Sequence, residues 1–132
     1  MRNLSFALTT RQIRERNKTV TRRRGTFWSR VLKPGDLVCA VEKSQGITRG
    51  GIVRLGVIRI KSVRCERLDE IARLDDYADT CREGFPGLTP RSFVGMFCRH
   101  MGGEPGQPVT RIEFEHADEP VPGQAAGAAG RE

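Results

Sequence analysis

The chain has 132 residues, 37% of them hydrophobic and 30% charged, with a formal net charge of +7. That suffices for one domain around one modest core, and it excludes a disordered polymer. No apolar run approaches the roughly 18 residues that a bilayer-spanning helix needs. The N-terminal "MRNLSFALTTRQIRER" has a short apolar patch and no small-residue cleavage site, so a cytoplasmic protein without a signal peptide is expected. Four cysteines (Cys39, Cys65, Cys81 and Cys98) are widely spaced, without the close ligand pairs of a zinc site. Buried free thiols are the simpler reading, and neither a metal nor a cofactor is expected.

In chain order, "LSFAL" (Leu4 to Leu8) alternates as a short strand with Leu4, Phe6 and Leu8 on one face. Thr9 or Thr10 can cap a short helix running to Arg16, and "RNKTVTRRR" then reads as a basic loop. "GTFWSRVLKPGD" suggests a helical turn closed by Pro34-Gly35. "LVCAVE" (Leu37 to Glu42) reads as a strand, and "KSQGITRGG" as a glycine-rich flexible loop. "VRLGVIRIKSVRCE" (Val53 to Glu66) is the longest strand candidate, with Gly56 marking a bulge or bend. An acidic helix is expected from about Leu68 through "LDEIARLDDYADTC", broken by "GFPG". "TPRSFVGMFCRH" carries a strong helix start, Thr89 as cap and Pro90 in the first turn, with Phe93, Met96 and Phe97 as its apolar face. "VTRIEFEH" (Val109 to His116) alternates as a final strand buried on one side only. From Ala117 to Glu132 the composition predicts a disordered tail, leaving residues 1–116 as the domain.

This order does not give the regular alternation of a doubly wound fold. It predicts an α+β domain: a small curved barrel of five to six strands with short helices at its ends, closed or with covered edges.

The charge is concentrated. Arg11, Arg14, Arg16, Lys18, Arg22, Arg23, Arg24, Arg30 and Lys33 stand against Glu15 alone, a window of +8, so the rest of the chain nets −1. Such a window attracts phosphate by Coulomb forces and counterion release. It can equally be a solvated helix face and loop.

A strand, a short helix, "NKTVTRR", then a tryptophan and "LKPGD" before a strand resemble the ASCH family, a branch of the PUA-like barrels. The family's Gly-x-Lys-x-x-x-x-Arg stretch places its lysine on Lys18 and its arginine on Arg23, while Arg16 stands in the glycine place. "EGFPGLTPRSFVGMFCRH" followed by "VTRIEFEH" is similar to a bacterial and phage-borne subgroup. The resemblance spans Leu4 to His116. It implies a PUA-like barrel that binds RNA, another single-stranded nucleic acid, or a modified nucleobase, nucleoside or nucleotide in a cleft. It also implies an alternative, hydrolysis of RNA or of N4-acetylcytidine, for which the catalytic positions fall on Lys18, Thr21 and Glu83.

The residues permit that chemistry. A threonine hydroxyl becomes a nucleophile when a neighbouring base takes its proton. Glu83 can be that base or activate a water, and Lys18 can stabilise an oxyanion. For a phosphodiester, Arg22 and Arg23 would join Lys18, with Glu83 or His100 moving protons. Each has a plainer role: Thr21 satisfying a loop backbone, Glu83 pairing Lys18 or Arg23, and His100 facing a helix C-terminus. Trp28 reads as a lid on the core, and Tyr77 lies in an acidic segment. A third possibility is an accessory protein whose basic face docks an acidic partner. The expected site geometry has Lys18 and Thr21 toward the cleft and Arg22 to Arg24 around its mouth.

Overall fold

The computed structural model of the protein describes residues 1–42 and 51–122. Most of the glycine-rich "KSQGITRGG" segment and residues 123–132 lie outside that description. The elements in order are β1 (Arg2–Ser5), a 3-10 turn (Ala7–Thr9), α1 (Thr10–Arg14), β2 (Val20–Arg24), α2 (Phe27–Val31), β3 (Leu37–Val41) and β4 (Arg54–Arg67). Three helices follow, α3 (Glu70–Arg73), α4 (Tyr77–Arg82) and α5 (Pro90–Met101), before β5 (Pro108–Ala117) closes the order.

The five strands form one mixed sheet in the order β1-β3-β4-β5-β2. Only β1 and β3 run parallel. The sheet curls because β4 carries two extra residues. Gly56 lies opposite Ala40 and Arg54 opposite Val41, leaving Leu55 unpaired against β3. Ile60 faces Phe114 and Ser62 faces Glu113, leaving Lys61 unpaired against β5. An extra residue on one strand bends it and raises the local twist. The outcome is a half-barrel whose two edge strands, β1 and β2, do not pair with each other.

Both faces of the sheet are covered. On the concave face Leu4, Phe6, Ile13, Ile58, Ile60, Ile112 and Phe114 form the main core, with Trp28 packed over it as expected. On the other face Val109 packs with Leu68, Ile71, Phe93, Val94 and Phe97 beneath α3 and α5. This double covering corrects the expectation of a final strand buried on one side: Arg111 is buried too, on the face that meets the helices.

Several local expectations also shift. β1 ends at Ser5, and the chain turns so that Leu8 is exposed while Leu4 and Phe6 stay buried. Thr9 precedes α1 without a capping hydrogen bond, whereas the Thr10 hydroxyl donates back to the Phe6 carbonyl (2.9 Å). The helix stops at Arg14, short of Arg16. The second half of "RNKTVTRRR" is not loop but strand β2, because its pairing with β5 is continuous from Val20 to Arg24. The acidic helix splits into α3 and α4 at Asp75, whose φ of 51° no helix tolerates. Thr89 does cap α5, its hydroxyl accepting from the Ser92 amide (3.0 Å) with Pro90 in the first turn. Of the cysteines only Cys39 is fully buried, and Cys65 and Cys81 are exposed. Ala117 still belongs to β5, one residue beyond the expected domain end. None of the helices described is long and apolar enough to cross a membrane.

Arg16 has φ +60°, a left-handed conformation costly for a side chain and free for glycine. Its ion pair with Asp118 (3.0 Å) is exposed and worth little. Arg16→Gly should therefore raise stability by about 0.5–1 kcal/mol. Thermal unfolding of the variant checks this, and a lowered Tm would contradict it.

Candidate functional site

Strand alternation gives the three consecutive arginines of β2 three different surroundings. Thr21 and Arg23 lie across from Ile112 and Thr110, so they share the concave face. Arg22 lies across from Arg111, and both point to the helical layer. Arg24 reaches the end of α5, donating from Nη1 to the Met101 carbonyl (3.1 Å) and from Nε to Gln107 Oε1 (2.9 Å).

Beneath α4 the buried Arg22 guanidinium meets three carboxylates. It donates to Glu83 Oε2 (2.9 Å), Glu66 Oε2 (2.9 Å) and Asp79 Oδ2 (2.5 Å). Arg111 grips the same Asp79 with two contacts, at 2.6 and 3.1 Å, and Arg82 adds a third cation at 3.2 Å. Burial works against the Asp79 carboxylate, but Arg111 and Arg22 outweigh it and hold its carboxyl well below the usual range. Burial likewise opposes the Arg22 charge, and Glu83 and Asp79 more than offset it, raising its affinity for the proton.

Glu83 joins this network to the cleft. Gln12 Nε2 donates to the Gly84 carbonyl (3.2 Å) and the Thr19 amide to the Arg82 carbonyl (2.8 Å), stitching the end of α4 to the start of β2. Gly84, at φ +98°, is required for this approach. A Cβ there would sit 2.9 Å from Gln12 Cγ. The buried Lys18 Nζ then donates to both the Glu83 carbonyl (2.7 Å) and Glu83 Oε1 (2.8 Å), with the Phe85 ring 6.0 Å away. Burial lowers the Lys18 pKa, Glu83 works against that, and the neighbouring Arg23 and Arg22 add to it. From behind, His116 Nε2 donates to the Lys18 carbonyl (2.8 Å). Burial lowers the His116 pKa, favouring the neutral ring.

The cleft itself lies between the unpaired edges of the half-barrel, with a volume of about 370 Å³. The end of β1 and the turn after it (Ser5 to Thr9) form one wall, β2 the other. Phe85, Met96 and Phe97 supply apolar surface, and His100 and Met101 reach it from the end of α5. Lys18, Thr21 and Glu83 are thus brought together in one cleft, with Arg23 beside them. Arg22 departs from the expected geometry, since it is sunk in the ionic network and not placed around the mouth. The remaining cations do not form one patch around the cleft. Arg11 pairs with Glu15 and Arg16 with Asp118, Arg14 lies with Arg16 near Gly56, and Arg30 donates to Thr26. Lys33 is exposed beyond α2. Tyr77 is exposed and is not among the cleft residues.

The sequence reading missed Asp79, Glu66, Arg111 and Phe85. Arg111, next to Ile112 and two residues from Val109 in the final strand, was the one available signal, since a cation buried in a strand demands a carboxylate elsewhere.

No family model matches the chain, and no curated protein is significantly similar to it. Solved structures do share its fold. The ASCH domain from Lactobacillus crispatus JV V101 is 16% identical, aligned over 86% of this chain and 77% of that one, with a TM-score of 0.54. The hypothetical protein PH0355 is 17% identical over 87% and 95% of the two chains, at 0.56. Protein EF3133 from Enterococcus faecalis V583 is 12% identical over 88% and 79%, also at 0.56. The fold is therefore the ASCH or PUA-like half-barrel, in agreement with the resemblance read from the sequence.

Removing Asp79 would leave two buried arginines short of their shared counter-charge. Asp79→Asn should cost about 3–5 kcal/mol. Because the Asp79 carboxyl is held below its unfolded value, its stabilisation is complete above about pH 4 and is lost as pH falls further. Urea unfolding between pH 6 and 2 should show a steeper fall in the parent than in Asp79→Asn, which keeps only the contribution of the other paired acids such as Asp69 and Glu70. Equal slopes would refute the assignment.

Proposed function

We propose that the cleft holds a nucleobase, presented by an RNA nucleotide or by a free nucleoside or nucleotide. The observation that carries this is the buried Lys18–Glu83 pair at the floor of a slot lined by Phe6, Phe85 and Phe97. Two of the three N–H groups of Lys18 are used by Glu83, leaving one for a ligand. Each Glu83 oxygen accepts from one cation and keeps acceptor capacity. A donor beside an acceptor suits the edge of a base, while aromatic walls accommodate its faces. The volume falls at the small end of ordinary ligand pockets, fit for one nucleotide and too small for a duplex. The likeness of fold to an ASCH domain, and the Lys18 and Arg23 positions of the sequence resemblance, support the same reading.

A second reading, hydrolysis, is favoured by one further observation: Thr21 lines the same cleft as Lys18 and Glu83. On an acylated nucleoside, the Thr21 oxygen would attack the acyl carbon as Glu83 takes the hydroxyl proton. Lys18 would meet the oxyanion, and the nucleoside amine would leave with that proton before water cleaves the acyl-threonine. In the resting state both Glu83 oxygens accept from cations, so a base at this position must first release one of them. Binding requires no such exchange and is the primary assignment.

The test is to incubate the protein with a mixed RNA pool and with N4-acetylcytidine, measuring retention and following products by mass spectrometry. Salt-dependent retention without products is expected, weakened about tenfold or more in Glu83→Gln, which leaves the buried lysine short of a charged partner. Deacetylated or cleaved product from the parent and none from Thr21→Ala would establish the hydrolase instead. Neither retention nor turnover would overturn both readings.

A further inference from the structure

Lys18 and Arg22 are matched by carboxylates, and Arg23 is not. Among the described residues its guanidinium makes one hydrogen bond, from Nε to the Thr21 hydroxyl oxygen (3.3 Å). Its guanidinium carbon lies over the ring of Phe6, 4.8 Å from the ring centroid. Phe6 is itself buried in the main core, so the contact fixes the guanidinium on a rigid support. Neither terminal nitrogen has a partner within the described residues, and neither is a buried polar atom left unsatisfied. Both therefore keep some contact with solvent, and Arg23 is one of the residues that line the cleft. An arginine held over an aromatic ring, with its terminal nitrogens unpartnered among the described residues, is a fork that matches phosphate or carboxylate in two parallel hydrogen bonds.

The surrounding charge points the same way. Among the described residues Glu83 is the sole carboxylate that lines the cleft, and its oxygens are already met by Lys18 and Arg22. Arg22 is answered by Glu66 and Asp79 outside the cleft as well, so on the cleft side Lys18 and Arg23 stand against one acid. Burial pushes the Arg23 guanidinium down to about 10, with Glu83 opposing only in part, and the Arg23 charge in turn depresses Lys18. A dianion between them would relieve both effects.

We propose that Arg23 is the anion-receiving fork of the cleft, and that the ligand is phosphorylated: a nucleotide whose phosphate enters the cleft together with its base. This rests on the nucleobase reading above and narrows it, making neutral nucleosides the poor ligands. Thr21 is then a positioning residue, its hydroxyl oxygen holding Arg23 Nε so that the terminal nitrogens face the ligand.

Calorimetric titration of the full chain tests this at one fixed ionic strength. The probes are the four ribonucleosides, their 5′- and 3′-monophosphates, and inorganic phosphate. At least one monophosphate should bind about tenfold or more tightly than its own nucleoside, the worth of a charge-assisted pair. The 5′ and 3′ series show which phosphate position reaches the fork. Arg23→Gln should bring the monophosphate-to-nucleoside ratio close to one. Arg23→Lys, a point charge without the fork, should restore part of it, and so guards against a folding defect in the first variant. Equal affinity of monophosphate and nucleoside in the parent, or a ratio that survives in Arg23→Gln, would overturn the proposal and leave nucleobase binding standing. Binding of phosphate-bearing probes irrespective of base, and lost in Arg23→Gln, would support the fork and sink the base reading. No binding by any probe would sink both.

Discussion

The structure depends on one shared carboxylate. Asp79 sits where β2, β5 and α4 meet, and it is the common acceptor of Arg22 and Arg111, which the pairing of their strands places side by side. Two buried arginines on neighbouring strands repel, and in a low-dielectric interior that repulsion is severe. The acid supplied by α4 turns the liability into an attachment point. A helix of six residues is too short to be stable by itself, so its position is set by this contact and by the packing beneath α5. Buried ion pairs do not in general outperform an apolar core. Here the network gives orientation: it fixes which residue of the helical layer faces which strand.

Orientation is what the cleft requires. Glu83 follows directly on α4, and its two oxygens divide between the network, through Arg22, and the cleft, through Lys18. The helix that answers the charge of two sheet arginines thus also delivers a carboxylate to the cleft floor. With that carboxylate occupied, the charge left over in the cleft is positive. Curvature does the rest. The two extra residues of β4 bend the sheet until β1 and β2 face one another without pairing, and the gap between them is the binding space.

Much of this was legible in the sequence, and the limits are physical. The start of α5 was readable because Thr89 and Pro90 act within one turn of their own positions. The same holds for the turn at Pro34-Gly35 and for the bend at Gly56. Lys18, Thr21 and Glu83 could be grouped only through resemblance, since nothing local to Glu83 announces a lysine 65 residues away. The arginines were harder. In "VTRRR" the residues are chemically alike, and only the register against β5 sends Arg22 inward and Arg23 to the cleft. A run of charge that reads as a soluble loop became a strand because the far face of the sheet, too, is covered. The one-sided final strand failed for the same reason: Arg111 satisfies its charge through Asp79, a contact that alternation alone cannot reveal.

The backbone at Lys18 carries a consequence of another kind. His116 holds the Lys18 carbonyl, and Thr19 bonds on one side to Arg82 and on the other to Phe114. None of these three hydrogen bonds involves the lysine side chain. Position 18 is therefore a socket whose path is fixed independently of the group it displays. Its chemistry is free to be exchanged, provided that position 83 changes with it so that no lone charge is stranded at the cleft floor. A half-barrel built in this way can drift among ligands by paired replacement at two sites 65 residues apart, while its frame stays in place.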